Sequence, residues 1–211
     1  MQEGGAPPAG GIGEYLAALK ASPRFGPQVV HHEELPAAPA IFADLVQPLP
    51  AELAQALQQQ GIRRLYHHQA AAIGLLRQGG HLLAASPTAS GKSLIYNLPV
   101  LEHLLAHPEA KALYLFPLKA LAQDQLRAIE ELSAHLPAPR RPAAAICDGD
   151  TSAYRRKKLR ENPPQILISN PDMLHLSILG YHDRWAGFWA GLKMVVIDEV
   201  SMLDITLAAH L

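Results

Sequence analysis

Two periodicities divide the chain. From about residue 66 onward, short runs that are apolar at nearly every position alternate with longer stretches whose apolar residues recur every three or four positions. The short runs are His81–Ala85, Ala112–Phe116, Ala143–Cys147, Ile166–Ile168 and Met194–Ile197, and they read as strands buried on both faces. The longer stretches read as helices. They are Tyr66–Gln78, Ser93–Ala106 with Leu94, Leu98, Leu101 and Leu105 on one stripe, Leu118–His135 with Leu121, Leu126, Ile129 and Leu132 inward, the basic segment Ser152–Glu161, and Asp172–Leu179. Such an alternation implies βαβ units, whose right-handed crossovers place helices on both faces of a mostly parallel sheet. The fold class expected is α/β.

A different pattern precedes it. Met1–Gly13 is rich in Gly, Pro and Ala and is expected to be disordered. Glu14–Ala21 fits a short helix ended by Pro23, and Gln28–Pro50 carries Pro36, Pro39, Pro48 and Pro50, which favour extended backbone. Pro50 then suits the first turn of a helix to Gln60, with Gly61 as its cap. An irregular, partly helical leader over residues 1–60 and an α/β domain over 61–211 follow from this reading.

Composition narrows the function classes. Hydrophobic residues at 49% and charged residues at 18% fit a globular chain. The net charge is −1, so a nucleic-acid surface has to be local. Cys147 is the single cysteine, which excludes an internal disulfide and a multi-cysteine zinc site. No apolar run approaches the roughly 20 residues that cross a bilayer, and the N-terminus lacks the basic-then-apolar layout of a signal peptide. The expectation is a soluble protein of a reducing, cytoplasmic compartment without a membrane partner.

In open parallel sheets, ligands sit at the carboxyl ends of the strands, and each candidate site here directly follows a strand. Ser86, Pro87, Thr88, Ala89, Ser90, Gly91, Lys92 and Ser93 lie between an expected strand and an expected helix, which is the P-loop layout with serine in place of the first glycine. A short Gly-Lys-Ser run also occurs by chance as a small-residue turn; the strand–loop–helix context selects the phosphate reading. Backbone N–H groups of such a loop cradle oxyanions, and Gly91 permits their close approach. Lys92 reaches the outer phosphates, and Ser93 offers a hydroxyl to Mg²⁺. About 105 residues later the strand Met194–Ile197 ends in Asp198 and Glu199. Alone, this is as well a surface acid pair. Paired with the P-loop, Asp198 is the Mg²⁺ carboxylate, acting through the ion's water shell, and Glu199 the general base.

Six segments in order carry a resemblance: Leu65–Gln69, Pro87–Leu94, Phe116–Gln125, Asp148–Thr151, Ser169–His175 and Val196–Glu199. Together they resemble motifs Q, I, Ia, Ib, Ic and II of superfamily 2 DEAD/DEAH-type helicases, and their wording resembles the RecQ-like branch that contains the bacterial mitomycin-repair DNA helicase. The resemblance covers about Gly61 to Glu199. It implies a RecA-like, ATP-binding first half of a DNA-repair helicase moving 3′ to 5′, with ATP and Mg²⁺ as cofactors. It also implies that Gln69 reads the adenine edge, and that Lys119, Gly149, Thr151 and the turn of Asn170, Pro171 and Asp172 line the track for single-stranded DNA or the tail of a duplex. Taken alone, Lys119 and Thr151 read as a solvated helix start and an N-cap, and the run Arg155–Arg160 as either a solvated face or a phosphate-neutralising one. Asp124 and Gln125 are expected to orient the helix after Lys119, His67 and His68 to lie on a partly exposed helix surface, and Trp185 and Trp189 to pack in the core.

Two departures from that branch matter. Ser201 stands where the branch has a histidine after its motif II acids. Motif III, the second RecA-like domain and its arginine finger do not follow within the 211 residues. The chain alone is therefore expected to bind Mg–ATP, hydrolyse it poorly and not unwind. A truncated nucleotide-binding fragment without motor activity, and an RNA helicase, are the alternative readings.

Overall fold

The computed structural model describes residues 11–36, 39–85 and 91–202. The chain divides into two compact units, Met1–Ala40 and Ile41–Leu211. In the first unit, helix α1 (Ile12–Ala21) buries none of its residues, and a single 3₁₀ turn follows at Gly26–Gln28.

The second unit is built on four parallel strands: β3 (Lys111–Leu115), β4 (Ala144–Ile146), β5 (Ile166–Ser169) and β6 (Leu192–Ile197). Their spatial order is β4-β5-β3-β6. A strand turns alternate side chains to opposite faces, and the burial follows that rule. Ala112 and Tyr114 of β3, with Ile166 and Ile168 of β5, enter one core; Leu113, Leu115 and Leu167 enter another. The first core is roofed by α2 (Ala51–Gln59), α3 (His67–Arg77), α4 (Lys92–Ala106) and α5 (Lys119–Ala134), through Leu53, Ile73, Leu98 and Ile129 among others. The second lies under α7 (Pro171–Met173), the π-helical Leu174–Leu179, the 3₁₀ turn His182–Trp185 and α8 (Ala186–Trp189), through Met173, Ile178, Trp185 and Phe188. Helices thus cover both faces. Helix α6 (Ala153–Glu161) buries nothing, in keeping with its charge.

A smaller antiparallel pair, β1 (Phe42–Ala43) with β2 (Leu65–Tyr66), sets Phe42 opposite Tyr66. Two residues of strand leave no periodicity in the sequence, so this pair was not expected. Helix α2, assigned above to the leader, buries Leu53, Ala56 and Leu57 in the first core.

One expected strand does not form. His81–Ala85 joins no ladder, and Leu83 is 84% exposed. The run contains only His, Leu and Ala, without the β-branched or aromatic side chains that favour a pleated surface. Among the described residues, none pairs with the outer edge of β6. That strand also keeps one face in solvent, with Val195 52% and Ile197 40% exposed, where burial on both faces was expected.

Candidate functional site

The carboxyl ends of the four parallel strands place the sequence motifs along one edge. Phe116–Lys119 follows β3, Asp148–Thr151 follows β4, Asn170–Asp172 follows β5 and Asp198–Glu199 follows β6. Of the P-loop, Gly91, Lys92 and Ser93 open helix α4; Ser86, Pro87, Thr88, Ala89 and Ser90 lie outside the described residues.

Gly91 caps α4 in the left-handed region at φ 74°. A Cβ there would stand 2.5 Å from Nε2 of Gln69, so both conformation and space call for glycine. Gln69 is 2% exposed and ties two elements: its Oε1 accepts from the Tyr66 N–H at 2.9 Å, and its Nε2 donates to the Gly91 carbonyl at 2.9 Å. Among the described residues those are its two partners, which leaves one N–H and one lone pair of the carboxamide. Beside it runs a stack of flat groups that sequence reasoning missed. The rings of Phe42 and Tyr66 lie 5.2 Å apart, those of Tyr66 and His68 5.6 Å apart, and Arg64 covers Phe42 at 5.1 Å. Phe42 and Tyr66 are each 39% exposed, unusual for rings with a core available to them.

At the end of β6, Asp198 is bonded on both oxygens. Its Oδ1 accepts from the Glu199 N–H at 2.9 Å, and its Oδ2 accepts from the Tyr96 hydroxyl at 3.0 Å. Glu199 holds φ 51°, a left-handed conformation that glutamate seldom adopts. Burial pushes the Tyr96 phenol well above its usual range, so it stays a proton donor; the neighbouring Ser93 hydroxyl works in the opposite direction. Ser93 and Asp198 could hold Mg²⁺, since both meet the same phenol. The set fits that ion, which binds through one or two carboxylates, substrate phosphates and its own waters. No described group of three or more His, Cys, Asp and Glu residues could hold a metal.

Farther along the edge, Lys119 meets Asp150 at 2.5 Å, and this hydrogen bond raises the Lys119 pKa. Thr151 is 8% exposed, and its hydroxyl braces the loop: it accepts from the Asp148 N–H and donates to Asp148 Oδ1, each at 2.9 Å. The N-cap of α6 is Ser152 instead. Arg156 donates to the carbonyls of Thr151 at 2.7 Å and Gly149 at 3.4 Å, so one member of the basic run is a strut for this loop. Asn170 caps α7 by accepting from the Met173 N–H at 2.8 Å; Pro171 is buried and Asp172 exposed. A small open hollow lies between Lys119, Asp148 and Asn170. His67 is exposed and His68 half-buried, Trp185 is buried in the second core, and Asp124 pairs with Arg127 at the surface. Gln125, by contrast, is buried and bonded inward. Cys147 is buried, which raises its thiol pKa and leaves it inert.

Comparison with known proteins finds similar chains by sequence and by fold. A family model described as DEAD/DEAH box helicase matches residues 66–206. The ATP-dependent helicase HRQ1 of Saccharomyces cerevisiae is 36% identical over 94% of this chain and 18% of its own length. The uncharacterized ATP-dependent helicase YprA of Bacillus subtilis is 39% identical over 82% of this chain and 23% of its own. Among solved structures, the DUF1998 helicase MrfA bound to DNA and AMPPNP superposes with a TM-score of 0.77 at 36% identity, covering 88% of this chain and 25% of that one. The Mycobacterium smegmatis helicase Lhr, bound to ssDNA and AMP-PNP, gives 0.66 at 27% identity over 77% and 22%. The chain spans about a fifth of the length of the curated relatives it matches.

Proposed function

The chain belongs to the DEAD/DEAH box helicase family, and from that premise we propose that it forms the ATP-binding side of an ATP-dependent DNA helicase motor of the repair type. The observation that carries this reading is convergence: one sheet edge bears both the acids Asp198 and Glu199 and the series Lys119, Gly149, Thr151, Asn170, Pro171 and Asp172. The DNA and nucleotide analogues bound to MrfA and Lhr support ATP and a single DNA strand, or the tail of a duplex, as the two ligands.

In this reading the phosphates rest on the loop of residues 87–91, where Thr88, Ala89, Ser90 and Gly91 have backbone N–H groups to offer and Pro87 has none, with Lys92 countering the outer charge. The adenine meets the remaining polar groups of Gln69 and the exposed rings of Tyr66 and Phe42. Ser93 and Asp198 would hold Mg²⁺, which when bound would neutralise charge on the phosphate oxygens. Glu199 takes the proton of the attacking water. The DNA contacts are to phosphate and so independent of sequence, and movement is 3′ to 5′ as the resemblance implies.

These 211 residues, assayed by themselves, bind Mg–ATP, hydrolyse it slowly and do not unwind. An arginine brought across the cleft contributes about 10³–10⁵ in rate in related phosphoryl-transfer enzymes. The test is ATP hydrolysis with and without single-stranded DNA and single-stranded RNA, with Lys92→Ala as control. Nucleotide binding that Lys92→Ala abolishes, with little DNA stimulation, is the expected result. Strong stimulation by DNA would show that the chain completes its own cleft, and stimulation by RNA alone would overturn the DNA assignment.

A further inference from the structure

Behind the two acids lies a buried chain of polar side chains that the mechanism above leaves without a role. Tyr114 of β3 donates from its hydroxyl to Asn97 Oδ1 at 3.0 Å, and Gln125 of α5 donates from Nε2 to the same oxygen at 2.9 Å. The Tyr96 hydroxyl then stands 3.1 Å from Gln125 Oε1 and 3.0 Å from Asp198 Oδ2. Asn97, Tyr114 and Gln125 are all 5% exposed or less. A phenol has one proton, and it lies in a three-centre bond to both acceptors, with the larger share to Asp198 because a carboxylate is a stronger acceptor than an amide oxygen. Gln125 and the edge-on ring of Tyr114, 5.7 Å away and 89° inclined, fix the phenol from behind. On its other side is the Ser93 hydroxyl, one helical turn earlier on α4.

Buried polar networks set geometry more than they add stability, since each group must trade away its water. This one starts in α5, whose first residue is Lys119 at the DNA edge, and ends on the Mg²⁺ carboxylate. We propose that Tyr96 is a positioning residue of the magnesium site: its hydroxyl holds the Asp198 carboxylate and the Ser93 hydroxyl in one register, and Gln125 of α5 holds Tyr96. Without that hydroxyl the Oδ2 side of Asp198 loses a tether, and the bond from the Glu199 N–H to Oδ1 is the side-chain restraint that remains among the described hydrogen bonds. Tyr96 acts through Asp198 and Ser93 in this arrangement, so the loss should appear in Mg²⁺ dependence and not in the nucleotide contacts themselves.

The inference rests on the Mg–ATP reading, and the experiment separates the two. A fluorescent mant-ATP is titrated into the full 211-residue chain at a series of MgCl₂ concentrations and in EDTA, for wild type, Tyr96→Phe, Gln125→Met, Asp198→Asn and the double variant Tyr96→Phe/Asp198→Asn. Tyr96→Phe should need about tenfold more Mg²⁺ for half-maximal effect, the size of one hydrogen bond to a charged acceptor, with its affinity in EDTA unchanged. Gln125→Met should shift the same quantity about threefold, and the double variant should behave as Asp198→Asn alone. A Tyr96→Phe chain with wild-type Mg²⁺ dependence, or one weakened equally in EDTA, would overturn the positioning role while leaving the site reading intact. Should Tyr96→Phe melt well below wild type, Gln125→Met decides the matter: no Mg²⁺ shift there overturns the proposal. Wild-type binding indifferent to Mg²⁺ would sink the site reading and the inference together.

Discussion

Gly91 joins two requirements in one residue, since its φ of 74° and its contact with Gln69 both exclude a side chain. A left-handed alanine costs roughly 1–2 kcal/mol by itself. The atom it would strike, Nε2 of Gln69, belongs to a buried amide bonded at both ends, so it does not swing aside cheaply. Gly91→Ala should therefore lower the melting temperature by about 5 °C for a domain of this size and weaken mant-ATP binding more than tenfold. Gly149→Ala, where an added Cβ meets nothing within 4 Å, should melt with the wild type. Equal melting of the two variants in differential scanning fluorimetry would show that the Gln69–Gly91 tie is not rigid. The sequence makes Gly91, Lys92, Ser93, Asp198 and Glu199 legible because local spacing specifies their chemistry. It hides Tyr96 and Phe42, whose meaning lies in partners 102 and 24 positions away along the chain. Thr151 is instructive in another way: the residue was legible, but its hydroxyl serves the loop's own backbone, which only the folded turn reveals.

At the scale of elements, the two-faced burial of β3 and β5 was readable, because a strand covered on both sides must be apolar at every position. β6 reads the same way, yet its burial alternates. Apolar composition permits burial on both faces but does not supply the covering element, and none of the described residues covers the outer face or pairs with the outer edge. The same limit explains His81–Ala85, since ladder formation depends on a neighbour that a one-dimensional pattern cannot name. An unpaired edge flanked by exposed Val195 and Ile197 is a template for association. Val195→Lys should reduce the concentration-dependent light scattering of the purified chain severalfold, since a charge on an edge strand opposes pairing. Its cost in stability should stay within about 0.5 kcal/mol, as for other exposed positions. Unchanged scattering would mean that the β6 edge is not where copies of the chain meet.

For the whole molecule, charge sets how the proposed DNA strand could be held. The net charge is −1, so no long-range attraction gathers nucleic acid to this chain. Several positive groups near the sheet edge are already engaged: Lys119 by Asp150, Arg156 by the carbonyls of Gly149 and Thr151, and Lys157 and Lys158 by Glu161 at 3.7 and 3.8 Å. Few phosphates can then be neutralised, and each contributes about 0.7 to the log–log salt slope on a single strand. Fluorescence anisotropy of a labelled oligo(dT) across a salt series should give a slope of about −1.5 to −2, the value for two or three phosphates. Asp150→Asn should tighten binding about two- to fivefold at low salt by releasing Lys119 from a surface pair. Lys119→Ala should flatten the slope by about one phosphate. A slope of about −4 or steeper would place the DNA on a more basic surface than this edge, with helix α6 the first to test. If Lys119→Ala leaves the slope unchanged, no phosphate reaches the amino end of α5, and the strand does not run along this edge.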